Sequence, residues 1–166
     1  MNRKQSSSIP ISVEQSKLLG SAQRVKIIGA IADEAKTAKQ VADELGQSPG
    51  STHYHIQKLH DGGLIDLVET RTMGGIVEKY YISKAKWFDS DGEQFPDPIL
   101  ADDFVSSSST KINLRLALTP DQREELTAEF KSLMEKWVAL TSASKEEGEE
   151  FAIGFKLISA EKKSGS

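Results

Sequence analysis

Between positions 48 and 61 the run SPGSTHYHIQKLHD gathers hydroxyl, imidazole, phenol, carboxamide and ammonium groups within four helical turns. The set does not make a catalytic constellation. All three histidines of the chain lie here, cysteine is absent, and neither a G-x-S-x-G elbow nor a glycine-rich phosphate loop occurs anywhere. Thiolate, acyl-transfer and phosphoryl-transfer chemistry therefore lack their residues. His53 and His60 share a helical face, but that face lacks the carboxylates or cysteine that would complete a zinc site. The chain is expected to be no enzyme and to hold no metal or other cofactor. What remains is recognition by hydrogen bonds: Gln57 can form a paired bond with a flat donor-acceptor edge, Lys58 donates only, and the Ser51 and Tyr54 hydroxyls donate or accept.

Such groups need a rigid element to hold them, and the flanking residues supply one. Thr37 caps AKQVADEL, which turns Val41, Ala42 and Leu45 to one side, and Gly46 is suited to the positive φ that ends a helix. Ser48 caps the next helix with Pro49 at its first position, where a missing N–H costs nothing. On that helix Thr52, Ile56 and Leu59 fall together and face inward. Gly50, Ser51, His53, Tyr54, Gln57 and Lys58 turn to other faces, and His55 is expected to pack or cap between helices. The helix stops at Gly62-Gly63, and Leu64 to Ile82 alternates as a hairpin around Thr72-Met73-Gly74-Gly75, with Arg71 near the tip. Two short helices, a tight turn and a hairpin make a winged helix-turn-helix, a shape commonly used to place its second helix in the DNA major groove.

In that setting Gln57 suits adenine, Lys58 suits guanine or phosphate, Ser51 and Tyr54 suit either, and His53 suits a phosphate or base edge. Gly50 would let the backbone approach closely, beside Ser48 at the cap. Arg71 suits phosphate or a minor groove; a plain solvated hairpin residue is the equal alternative for it.

The run SPGSTHYHIQKLHDGGLI resembles the recognition helix and following turn of ArsR-type winged-helix transcriptional regulators. Their pattern is a Ser-capped helix, a Thr or Ser, an aromatic or basic pair, a His-aliphatic step, a Leu and a Gly-Leu before the wing. Ser48, Ser51, His55-Ile56, Leu59 and Gly63-Leu64 occupy those positions. The resemblance covers about residues 21–83. It departs from the metal-sensing members, whose cysteine pair has no counterpart here.

The rest of the chain frames this unit. The 166 residues carry a net charge of −4, unevenly spread: residues 1–88 hold 12 Lys and Arg against 9 Asp and Glu, and residues 89–166 hold 9 against 16. A mildly basic front and an acidic back suit a DNA module followed by one that avoids DNA. No apolar run approaches a membrane span, and MNRKQSSSIP reads as a frayed polar tail without a secretory core, so a cytoplasmic address is expected. A lead-in helix around Val13, Leu18 and Leu19 is followed, after Ser21, by a support helix whose Val25, Ile27, Ile28, Ile31 and Ala32 pack inward. Residues 87–109 read as a linker that packs Trp87, Phe88, Phe95, Ile99 and Leu100 nearby. KINLRLAL at 111–118 alternates as a strand. Thr119-Pro120-Asp121 opens a long helix with Leu126, Phe130, Leu133, Met134, Trp137 and Val138 along one stripe, and EFAIGFKLI alternates Phe151, Ile153, Phe155 and Leu157 as a second strand.

The sequence thus predicts an α+β chain: a winged helix-turn-helix over 11–88, a linker over 89–110, and a small strand-helix-strand module over 111–160 for dimerisation or an effector. The expected function is that of a dimeric regulator binding a palindromic operator in double-stranded DNA, repressing by default, with Leu126, Phe130, Leu133 and Trp137 as the dimer or effector surface. Two alternatives stand beside it. One is a winged helix used for protein contact; the other is a sensor enclosing a small apolar molecule near Leu114, Phe130, Trp137 and Phe155.

Overall fold

A computed structural model describes residues 8–89, 108–144, 146 and 148–159. The described chain opens on β1 (Ile9–Pro10) and continues into α1 (Val13–Leu19), where Ser12 and Gln15 each accept from the other's backbone N–H in a capping box. Ser21 stands at the N-cap of α2 (Ala22–Ala30) without a side-chain bond, and the support helix ends at Ala30. β2 (Lys36–Thr37) then leads into α3 (Ala38–Leu45), capped by Thr37 and Gln40 as a second box and ended by Gly46 at φ 64°. α4 (Pro49–Asp61) starts behind Ser48, whose hydroxyl accepts from Ser51 N–H.

The wing is β3 (Ile65–Met73) and β4 (Ile76–Ser83), antiparallel and joined by Gly74-Gly75 at φ 58° and 82°. Two positive φ values in a two-residue loop are what the right-handed twist of a tight hairpin demands. The register slips between Leu67 and Glu69, so Val68 is a bulge residue. β2 adds to β4 to give the order β2-β4-β3, a third strand that two residues of sequence, Lys36-Thr37, did not announce.

The core lies where the helices meet this sheet. Ile27, Ile28 and Ile31 of α2, Val41 of α3, Ile56 and Leu59 of α4, and Leu64, Ile65 and Tyr81 of the wing base form one buried cluster. The inward set expected on α4 is the one found, with Thr52, Ile56 and Leu59 buried. Pairing of β1 with β5 (Phe88–Asp89), parallel, closes the unit. Here the polar-tail reading needs correction: Ile9 N–H donates to the Trp87 carbonyl at 3.1 Å and Ile11 N–H to the Asp89 carbonyl at 2.9 Å, so Ile9 and Pro10 belong to the fold. Residues 1–7 lie outside the described ones.

The long helix is present as α5 (Pro120–Ala143), with Thr119 and Gln122 forming its capping box. It lies on α2: a Cβ on Gly29 would stand 3.4 Å from Val138 Cγ1, and Lys26 Nζ donates to the Thr141 carbonyl at 3.0 Å. The flanking runs differ from expectation. Neither 111–118 nor 151–157 forms a strand, and Ile112 is 81 % exposed and Ile153 64 %. A strand needs a neighbour to complete its ladder, and among the described residues neither run is paired in a sheet. Phe95, Ile99 and Leu100, expected to pack from the linker, lie outside the described residues; Phe88 does pack against the core.

Candidate nucleic-acid interface

The face of α4 opposite its buried stripe is open. Gly50, Ser51, His53, Tyr54 and Lys58 are exposed there, while Gln57 is half-buried. Ser48 is committed to the cap. A Cβ on Gly50 would meet nothing within 4 Å, so the fold itself does not require glycine and the space above the backbone is free for a close approach. Lys58 Nζ lies 5.7 Å from the Tyr54 ring centroid, and the Gln57 carboxamide nitrogen donates to Asp61 at 2.8 Å.

His55 is set apart from this face. Its Nδ1 is buried without a hydrogen-bond partner, its ring meets the Tyr54 ring edge-on at 5.2 Å, and burial together with the nearby Arg24 charge holds its pKa below the usual histidine value. The residue as a whole is half-buried. His60 packs edge-on against Tyr81 at 5.6 Å. Among the described residues no three His, Cys, Asp or Glu side chains come together as a group that could hold a metal ion.

A side chain that the sequence did not single out ties the two helices of the motif to the support helix. Gln23 of α2 donates from Nε2 to Gln47 Oε1 at 2.6 Å and to Ser51 Oγ at 3.1 Å. The turn and the first turn of α4 are therefore held by one carboxamide. No periodic signal marks Gln23, because it occupies a polar position of an amphipathic helix. Arg24, its neighbour, donates to the Leu18 carbonyl and joins α2 to α1.

On the wing, Arg71 is engaged. Its Nε and guanidinium nitrogen donate to the two Glu69 oxygens at 2.6 and 2.8 Å, and its guanidinium lies 4.6 Å from the Tyr80 ring centroid. The tip beyond it is apolar, with Met73 and Ile76 directly opposite each other and both well exposed.

The four residues expected on the dimer or effector surface divide. Leu133 and Trp137 are exposed, Leu126 is half-buried, and Phe130 stacks on Phe155 at 4.2 Å. That stack fills part of the space where an apolar pocket was expected, and Leu114 stands exposed outside it. An open groove of about 560 Å³ lies on this side instead, between Lys86-Trp87 and α5, with Arg123, Glu124, Lys131 and Glu135 among its lining residues. Across it Glu135 accepts from Trp87 Nε1 at 2.7 Å and from Lys86 Nζ at 3.0 Å. Burial pushes the Glu135 carboxyl up, but those two bonds outweigh it and hold it below the ordinary carboxylate range. No described helix is long and apolar enough to cross a membrane.

Residues 19–68 match the family model described as a helix-turn-helix domain. No curated protein matches the chain. Among solved structures it is similar to the homodimeric winged helix-turn-helix DNA-binding domain of a possible ArsR-family transcriptional regulator from Mycobacterium bovis. The identity is 24 % and the TM-score 0.36, over 43 % of this chain and 62 % of that one. The chain thus spans about three fifths of the length of that structure. From the α3–turn–α4 geometry and the match over 19–68, this part of the chain is a helix-turn-helix domain, completed by the wing β3–β4 and resembling the ArsR type in its residue pattern.

Proposed function

We propose that the chain is a DNA-binding transcriptional regulator that acts as a homodimer, with α4 set in the major groove and the wing beside it. The observation that carries this reading is the two-sidedness of α4. One face is wholly buried by Thr52, Ile56 and Leu59, and the other presents Ser51, His53, Tyr54 and Lys58 to solvent from a helix whose start is fixed by Gln23. A helix held this firmly, with hydrogen-bonding groups left outward, suits the reading of base edges. One such helix covers only a few base pairs, and two related by a two-fold axis at about 34 Å cover a palindromic operator. Repression by occupying a promoter is the sign of regulation this reading adopts.

Fluorescence anisotropy against a random duplex at two salt concentrations tests it. Binding at low salt that weakens steeply as salt rises is the expected result, since phosphate contacts release counterions. Absence of binding at low salt, or binding indifferent to salt, would instead favour protein contact as the use of the winged helix. The small positive excess of residues 1–88 is the feature that favours that second use.

A further inference from the structure

We infer that residues 111–118 and 151–157 are strands of a sheet that forms between two copies of this chain. This deepens the dimer of the reading above, and it stands whether or not α4 meets DNA. Both runs alternate strictly, with Ile112, Leu114 and Leu116 on one side of the first and Phe151, Ile153 and Phe155 on one side of the second. Period-two alternation specifies a strand with one buried face. Yet these side chains are exposed, from 38 % at Phe155 to 81 % at Ile112. No backbone hydrogen bond among the described residues involves 112–118 or 151–157. Ladder groups and apolar face are therefore open together, a combination that a stable chain covers.

The order of the elements says how. Strand, helix and strand in sequence is a crossover unit, which pairs its two strands in parallel. The parallel register that aligns Ile112 with Phe151 and Leu116 with Phe155 also sets Lys111 beside Glu150 and Arg115 beside Gly154, so opposite charges meet and like charges do not. The Phe130–Phe155 stack already lays the second run along α5. Two strands remain short of the three or more that an independent sheet needs. A second copy related by a two-fold axis supplies two more and closes an edge of each unit.

The surface is also large enough to form the main part of such an interface. Leu133, Trp137 and Leu140 of α5 continue the apolar face. Each large apolar side chain removes on the order of 60–120 Å² from water when buried. At exposures of 38–81 %, those three and the six strand residues offer roughly 300–600 Å², up to about three quarters of the about 800 Å² that each partner of a standard dimer contributes.

The test uses the full chain without DNA. Sedimentation over a range of concentrations is combined with hydrogen exchange read at 112–118 and 151–157. We expect a dimer whose amides in both runs are protected, with protection lost on dilution into the monomer. Leu114→Asp, at a side chain 68 % exposed in the single chain, should raise the dimer dissociation constant at least tenfold and leave the monomer's thermal unfolding in place. A chain monomeric at all concentrations overturns the inference. So does a dimer with both runs unprotected, equal protection in monomer and dimer, or a Leu114→Asp chain that dimerises as the parent does. Should Leu114→Asp fail to fold, exchange on the parent chain decides alone.

Discussion

Arg71 forks onto Glu69, two residues earlier on the same strand, with both carboxylate oxygens engaged at 2.6 and 2.8 Å. The bond from Arg71 holds the Glu69 carboxyl below its usual range, and the guanidinium is stabilised in turn. The one arginine of the wing is therefore already paired with a carboxylate. Glu69→Gln should free it, tightening binding to any duplex severalfold and steepening the salt dependence by about one phosphate contact. Arg71→Ala should reverse both. Plots of log affinity against log salt for the three proteins check this, and identical slopes in all three would remove Arg71 from the interface.

Arg71 near a glycine turn was legible as a candidate contact, and its partner Glu69, two residues earlier on the same face of the strand, follows from period-two spacing that the reading of the turn did not use. On α4 the outcome was better: a period of 3.6 residues with marked caps located the buried set Thr52, Ile56 and Leu59, and of the outward set all but the half-buried Gln57 are exposed. Gln23 escaped notice because a bond between elements 24 and 28 residues apart leaves no periodic trace. The runs at 111–118 and 151–157 carry strand periodicity without forming strands, since periodicity reports the face a segment must bury and not who covers it.

Two glycines of the motif have opposite roles. Gly62 has φ −76° and needs no special backbone; what it needs is room, because a Cβ there would collide with Leu18 Cδ1 and press on the Lys58 carbonyl. Gly62→Ala should cost on the order of 1–3 kcal/mol as Leu18 is displaced from α1. Gly50→Ala meets open space inside α4 and should add about 0.5–1 kcal/mol. Urea unfolding of both variants tests the pair, and a Gly62→Ala chain as stable as the parent would mean that α1 is loosely held.

His55 makes stability depend on pH. Its folded pKa lies below the ordinary 6.5, first because of burial and then because of Arg24. The unfolded chain therefore takes up a proton that the folded chain refuses, and stability present above about pH 6.5 is lost as pH falls. His55→Gln should flatten the fall in melting temperature between pH 7 and pH 5. An equally steep fall in the variant would assign that loss to other groups.

Tyr54 and Gln57 are expected to take part in base reading, and they can be tested without disturbing the core. Tyr54 is 56 % exposed, and Gln57 bonds only to Asp61 on its own helix. Surface changes of this kind usually stay within about 0.5 kcal/mol, so the double replacement Tyr54→Ala with Gln57→Ala should leave the melting temperature nearly unchanged. It should abolish preference for an operator selected from a random DNA pool while leaving weak, salt-dependent binding to random duplex, because phosphate contacts position and base contacts specify. A large drop in melting temperature would show that these side chains belong to the packing of α4. An intact operator preference would move the base-reading role to Ser51, His53 and Lys58.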